Sequence, residues 1–585
     1  MKNFIKTFFA LLLANVVLAA LLFVFIFAVG TSLKAGKKPE LKKGTYLVVD
    51  IYGDVLAYNP PEDFPQSLFE GEPETLHRIL SNLEKARVDD RIEGVVIKIS
   101  ANNGLGPAMI EEIRGEIKKI QAADKPVYAY SDNLDRKTLF LAAACDSIFM
   151  PPCAYVYYVG YGNVTPYIKG TLEKLGVTAQ IHKIKDYKSA AELVTRKNMS
   201  PEAREMRNWI MDDWWETEMA AVTKDRGLSE EKLVECMEYA MFMASEAKEA
   251  GLIDELLYWS ELKDFLKDDD DEELKTISQS DYAKITRESV GLKGKNRIAV
   301  VHAHGMIGGR KSRVDPALGM MMGHETVAAS LRKAGEDDKV KAVIFRVDSR
   351  GGEGLTSDLI SHAVEVLAEK KPVIVSMIDV AASGGYMIAY RGTKMVADPM
   401  TITGSIGSIS GKFNTNGFFG KLGITFDSVT KGPNALMWSE HTDFTKEQRQ
   451  RFEDNHWDEF NWWLANVAQR RGMTFEEAEK LAHGRVFTGR QAKENGLIDE
   501  MGGLDRAIEL AKEAAAIEPS EEVTLVDYPK KKGLLASIMG GESPLSAAAR
   551  WALYRFIHED LAETYRLLTT ASMNSWDGDV EDKNR

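Results

Sequence analysis

The chain has 585 residues, 44% of them hydrophobic and 28% charged, which is a globular composition too long for a single core; at roughly 100–200 residues per domain it holds several units. Its net charge of −14 excludes a general nucleic-acid binder, because phosphate binding needs a basic field. Three cysteines, Cys145, Cys153 and Cys236, exclude a disulfide framework and read as buried free thiols.

In chain order, the first element is an apolar run over 8–30, FFALLLANVVLAALLFVFIFAVG, with Asn15 its most polar member. At ~1.5 Å per residue it is long enough to cross a ~30 Å hydrocarbon core. No small-x-small cleavage site follows, so 1–43 reads as a retained transmembrane anchor with a basic flank rather than a cleaved signal. Lys2 and Lys6 precede the run, whereas Lys34, Lys37, Lys38, Lys42 and Lys43 follow it. That count alone keeps the large domain in the cytoplasm.

Beyond the anchor the chain repeats itself, with matching segments about 245–248 residues apart. DDRIEGVVIKI at Asp89 matches DDKVKAVIFRV at Asp337, DKPVYAY at Asp124 matches KKPVIVS at Lys370, and KLGVT at Lys174 matches KLGIT at Lys421. RGLSEE at Arg226 and EAGLIDEL at Glu249 continue the match in RGMTFEE at Arg471 and ENGLIDEM at Glu494. The copies occupy 44–257 and 297–527. Each opens on a β-rich run and then alternates short apolar strands with helical patterns, which predicts an α/β fold with parallel sheets. Helices over 202–227 and 447–472 carry paired tryptophans, expected to pack or to meet another subunit. Between the copies, 258–296 includes KDDDDEE and reads as an acidic, polar linker. After them, 528–585 reads as a helical extension with Trp551, Leu553, Phe556, Leu561 and Leu567 as its apolar members, then a polar tail.

The differences between the copies carry the chemistry. With Pro152 aligned to Pro399, the place of Ser405 in TGSIG falls on Tyr158; with KLG aligned, the place of Lys188 in DYKSA falls near Ala435. Each copy has kept a polar residue that the other lacks, which points to one shared site with a nucleophile from one copy and a base from the other. A serine hydroxyl needs a base to take its proton, and a lysine can serve if burial lowers its pKa. An oxyanion also needs backbone N–H donors, and Gly351-Gly352 in VDSRGGE lets backbone approach a substrate closely. The first copy has only ISANNG there.

These motifs together, TGSIG, DYKSA, AASGGY at Ala381 and DSRGGE, resemble the signal peptide peptidase A family in its long, duplicated form. The resemblance covers essentially the whole chain beyond the anchor. It implies two domains of the Clp-protease and crotonase fold group preceded by one transmembrane helix, with Ser405 as nucleophile, Lys188 as general base, and Gly352 or Gly351 as the oxyanion glycine. It further implies a bowl of four subunits on the inner membrane, a catalytic domain on the periplasmic side against the lysine count, and signal-peptide remnants or other apolar peptides as substrates. No cofactor and no metal are implied. The family usually has proline before the Gly-Gly pair, where this chain has Arg350.

Several alternatives stand beside that reading. Ser383 in AASGGY is placed like the helix-start serine of Clp-type peptidases and is a nucleophile candidate with a histidine partner, or else a small packing residue in contact with the lysine. His302 and His304 in VVHAHG lie on one strand face, yet no third metal ligand is evident. GSISGKF at Gly407 lacks the spacing of a phosphate loop. Asp427 or Ser428 is a candidate for orienting the lysine. Other classes consistent with the fold are an acyl-CoA enzyme that stabilises an enolate and a catalytically silent membrane scaffold.

Overall fold

The computed structural model describes residues 41–58, 74–267, 272–315 and 318–530. The expected anchor over 8–30 and the helical extension beyond 530 lie outside the described residues. Among the described residues no helix is long and apolar enough to cross a membrane.

Runs such as Val95-Val96-Ile97 and Val343-Ile344-Phe345 have no polar face, and all six side chains are fully buried. Only a parallel sheet covered on both sides can satisfy them. Two such sheets form, each of eight strands. In the first copy the order runs Glu255–Leu256, Ser147–Met150, Val127–Asp135, Ile92–Asn103, Thr45–Gly53, Thr276–Ser278. In the second it runs Glu500–Met501, Lys394–Ala397, Val373–Ala382, Val340–Ser349, Asn296–His304, Val523–Tyr528. In each copy a short strand continues parallel beside the far end of the central strand: Tyr155–Tyr157 beside Val127–Asp135, and Ile402–Gly404 beside Val373–Ala382. Each then pairs antiparallel with a late strand, Met241–Met243 or Val486–Thr488. The duplication is therefore carried strand for strand.

Helices cover the sheets, among them Leu76–Val88 and Pro107–Gln121 in the first copy and His324–Glu336 and Gly354–Ala368 in the second. The tryptophan-bearing helices Pro201–Arg226 and Lys446–Arg471 start at capping Ser200 and Thr445 and stop at left-handed Gly227 and Gly472. Most of their tryptophans pack, as expected. Trp463 is buried, and Trp209 meets Phe487 edge-on while Trp214 donates to the Met400 carbonyl, so the first helix leans on the second copy.

The cysteine expectation holds for Cys145 and Cys236, which are buried, but Cys153 is exposed on the turn before Tyr155–Tyr157. The segment 258–296 is also corrected. It is not simply a solvated linker: Trp259–Leu266 is a helix whose Leu262 is buried, and Thr276–Ser278 is the edge strand of the first sheet, in register with Tyr46–Val48. Three residues with one apolar member carry too weak an alternation to be read as a strand. Only the matching strand Val523–Tyr528 at the end of the second copy reveals what it is. Replacing the buried Ile277 with Asp is therefore expected to destabilise the chain by at least about 2 kcal/mol, the cost of burying an unpaired charge. Thermal unfolding checks this, and an unchanged Tm would return the segment to the status of a linker.

Candidate active site

One connection between the copies builds the site. Strand Thr178–Lys183 of the first copy pairs antiparallel with Ile409–Asn414 of the second, from Ile409 opposite Lys183 to Asn414 opposite Thr178. The amide of Ile184 extends the ribbon by donating to the Ser408 carbonyl at 3.0 Å. The chain then turns, and Lys188 heads the short helical turn Ser189–Ala191. Tyr187 is held from the second copy by Arg485, which donates to its hydroxyl at 2.7 Å and stacks over its ring. Gly484, with φ of +83°, packs on the Lys188 backbone so closely that a Cβ there would sit 2.5 Å from Lys188 Cα. No other residue fits at 484.

Lys188 is 6% exposed, and its Nζ lies 2.9 Å from three oxygens: Ser383 Oγ, Ser405 Oγ and the Ser405 carbonyl. Burial alone pushes its pKa from 10.5 down to about 7, with no carboxylate countering the shift. A neutral amine has two N–H donors and one lone pair. One donor must go to the Ser405 carbonyl, which can only accept, so the second donor and the lone pair face the hydroxyls of Ser405 and Ser383 at equal distances.

The two serines differ in local structure. Ser383 ends strand Val373–Ala382 and caps helix Gly384–Met387 with φ 58° and ψ −121°, a conformation that costs a non-glycine residue about 1–3 kcal/mol. Such a strand-to-helix elbow thrusts a serine hydroxyl out of the sheet. Ser405 also has positive φ, 52°, but it is buried, and all its polar groups are engaged. Its amide donates to the Arg485 carbonyl at 2.7 Å, while its carbonyl and hydroxyl meet Lys188.

The Gly351-Gly352 turn stands beside Ser383. Gly351 has φ of +97°, and a Cβ there would fall 2.6 Å from the Gly384 nitrogen and 2.9 Å from Ser383 Cβ. The Ile307 carbonyl pins the turn by accepting from the Glu353 amide at 2.9 Å. The amides of Gly352 and Gly384 donate in none of these backbone bonds among the described residues. They are two free donors next to one hydroxyl, the arrangement an oxyanion requires. Arg350, where the resemblance implies proline, is exposed.

Other expected residues are placed elsewhere. Asp427 and Ser428 are exposed and bond to each other, and Lys188 contacts neither. His302 bonds to Asp527 and His304 pairs with Asp348, so neither partners Ser383. A feature the sequence did not signal lies behind the ribbon, where Ser408 Oγ sits 2.6 Å from His456 Nε2, and His456 Nδ1 sits 2.8 Å from His182 Nδ1. This chain ties both ribbon strands to helix Lys446–Arg471. Burial pushes both imidazoles below the usual histidine range, His456 to about 4.

Among the described residues the first copy has no equivalent site. Arg136 follows strand Val127–Asp135 where Ser383 follows its own strand, and it is bound by Glu218 and stacked on Tyr161. Tyr158, in the place of Ser405, is fully buried with its hydroxyl against Met219.

Comparison with known proteins gives the family. The family profile of peptidase family S49 matches residues 119–273 and 365–518, more than half of the chain. The chain belongs to peptidase family S49. The chloroplastic serine protease SPPA of Arabidopsis thaliana is 32% identical over 511 residues, covering 86% of this chain and 74% of that protein. Protease 4 of Haemophilus influenzae is 31% identical, covering 74% and 71%, and Protease 4 of Salmonella typhi is 30% identical, covering 76% and 72%. This family member is a serine protease with a duplicated α/β body. Among solved structures, a single-residue mutant of the 1510-N membrane-bound stomatin-specific protease aligns with 40% of this chain and 99% of its own, at 16% identity and a TM-score of 0.26.

The depressed lysine pKa has a consequence for stability. Between pH 7 and 10.5 the unfolded lysine holds a proton that the folded one has lost, so native stability rises with pH across that window and the cost of burial is greatest below it. Lys188→Met is accordingly expected to raise Tm at pH 6, by an increment that fades toward pH 10.5. Calorimetry over that pH range checks the sign, and an increment independent of pH would contradict the assigned shift.

Proposed function

We propose that this protein is a membrane-associated serine peptidase that cleaves apolar peptides, signal-peptide remnants among them, with Ser383 as nucleophile, Lys188 as general base and Ser405 as the residue that positions the lysine. The observation that carries this reading is the shared 2.9 Å contact of a buried Nζ with both hydroxyls, only one of which stands on a strained elbow beside free amides. The roles expected of the two serines are thereby exchanged. Ser405 is too fully engaged in holding the amine to attack, and its amide is already used.

In the proposed mechanism the Lys188 lone pair takes the Ser383 proton as Oγ bonds to the substrate carbonyl carbon, and the amides of Gly352 and Gly384 receive the developing oxyanion. The ammonium then returns the proton to the leaving nitrogen as the peptide C–N bond breaks. Water, deprotonated by the same amine, releases the acyl group from Ser383. No histidine or carboxylate takes part, because burial alone lowers the pKa of the amine enough to leave it unprotonated near neutral pH and free to accept a proton.

Exposed apolar side chains support the substrate class. Leu355 at the start of the helix after Gly352, and Ile424, Phe426, Val429 and Trp438 in the second-copy arm beyond the ribbon, are exposed. They suit apolar peptide or a neighbouring subunit of the tetramer that the family resemblance implies. The periplasmic placement, the anchor and the Clp-like kinship belong to the same proposal.

Ser383→Ala and Lys188→Ala are each expected to remove nearly all peptidase activity, and the double variant should be little worse than either, since both fail at one step. Ser405→Ala should retain measurable activity, reduced about 10- to 100-fold as the base loses its orientation. Wild-type activity should rise with pH through about 7 as the amine deprotonates. A serine-reactive probe, with the adduct located by mass spectrometry, decides between the hydroxyls: labelling at Ser405 with full activity in Ser383→Ala would overturn the assignment.

A further inference from the structure

The strand residue His302 finds its partners far from its sequence neighbour His304. Its Nε2 lies 2.8 Å from Asp527 Oδ1, and the other oxygen of that carboxylate lies 3.2 Å from His77 Nε2. One ligand atom from each of the three residues falls within 4.8 Å of the other two. His302 and Asp527 stand on adjacent parallel strands of the second sheet, with Val300 opposite Asp527, while His77 sits in the first turn of helix Leu76–Val88 of the first copy. Tyr58 stacks flat on the His302 ring at 3.6 Å and fixes its plane.

We propose that His77, His302 and Asp527 bind a divalent metal ion of the Zn2+ class, which ties the first copy to the second at a point separate from the Ser/Lys centre. Two imidazoles and one carboxylate are a donor set for Zn2+ with a fourth position left to water, whereas Mg2+ and Ca2+ call for oxygen ligands throughout. The donors already converge, with both Nε2 atoms directed at one carboxylate, so binding needs only a small opening of the bridge. His77 and Asp527 remain 25% and 34% exposed, which leaves the ion a route in. His77 also lines a cavity of about 110 Å³ between the copies, whose other walls include Glu111, Glu116 and Asp398.

The test uses the full chain stripped with EDTA and titrated with Zn2+, followed by calorimetry and thermal unfolding, with Co2+ as a visible-absorption probe of coordination. One ion per chain, a rise in Tm, and the d–d absorption of a nitrogen- and oxygen-ligated Co2+ site are expected. His77→Gln, a change at a part-exposed first-turn residue, should weaken Zn2+ at least tenfold and abolish the rise in Tm, each variant being compared with its own metal-free Tm. Asp527→Asn should do the same to binding. Absence of binding at millimolar Zn2+, or unchanged binding in His77→Gln, would overturn the proposal and leave the triad as a His–Asp–His hydrogen-bonded bridge only.

Discussion

The chemistry proposed for this molecule depends on keeping one primary amine both dry and accessible to a hydroxyl. A lysine in water is charged at neutral pH, and a charged lysine cannot accept a proton. The fold removes water from Lys188 by closing two separate bodies over it: the ribbon from the first copy delivers it, Gly484 of the second lies flat against its backbone, and Ser405 meets the amine with both its carbonyl and its hydroxyl. Other features of the site follow from that demand. The glycine at 484 is needed for the close approach, Tyr187 is clamped by Arg485, and the His182–His456–Ser408 chain stiffens the ribbon so that the amine does not wander. The amine is tuned by desolvation, so its lowered pKa is a property of packing rather than of a neighbouring charge.

Duplication made this arrangement affordable and then made it asymmetric. A single copy would have to hold its lysine and its serine against each other through its own arm. Two fused copies can divide the task, and the half without these serines is built around structure at the same positions. Where the second copy has the elbow serine, the first has Arg136, tied to Glu218 and laid on Tyr161; where the second has Ser405, the first has a buried tyrosine. These substitutions fill the vacant position with packed, paired groups, so each chain carries one Ser/Lys centre among its described residues.

Much of the architecture was legible in the sequence because the repeat constrained it: two α/β bodies, parallel sheets, long tryptophan helices, and a lysine of one copy meeting a serine of the other. What was not legible depended on geometry that residue types do not encode. Ser383 and Ser405 are both serines among glycines, and what separates them is a φ/ψ pair on one and a full set of bonds on the other. Asp427 and Ser428 lie near the motif in sequence but on an exposed arm in space. The edge strand Thr276–Ser278 was hidden by its charged surroundings, and the partners of His302 lie 225 residues away in each direction, at 77 and 527. Long-range pairings of this kind leave no periodic trace.

The separation between Lys188 and Ser405, 217 residues along the chain, also sets an order in time. A ribosome releases the lysine first, then the elbow, then Ser405, and only after a further stretch Gly484 and Arg485, which close over the amine. Until that last segment emerges, the lysine is hydrated, protonated and unable to activate anything. On the proposed mechanism the site therefore stays incomplete through most of synthesis, and competence arrives as one of the final events of folding.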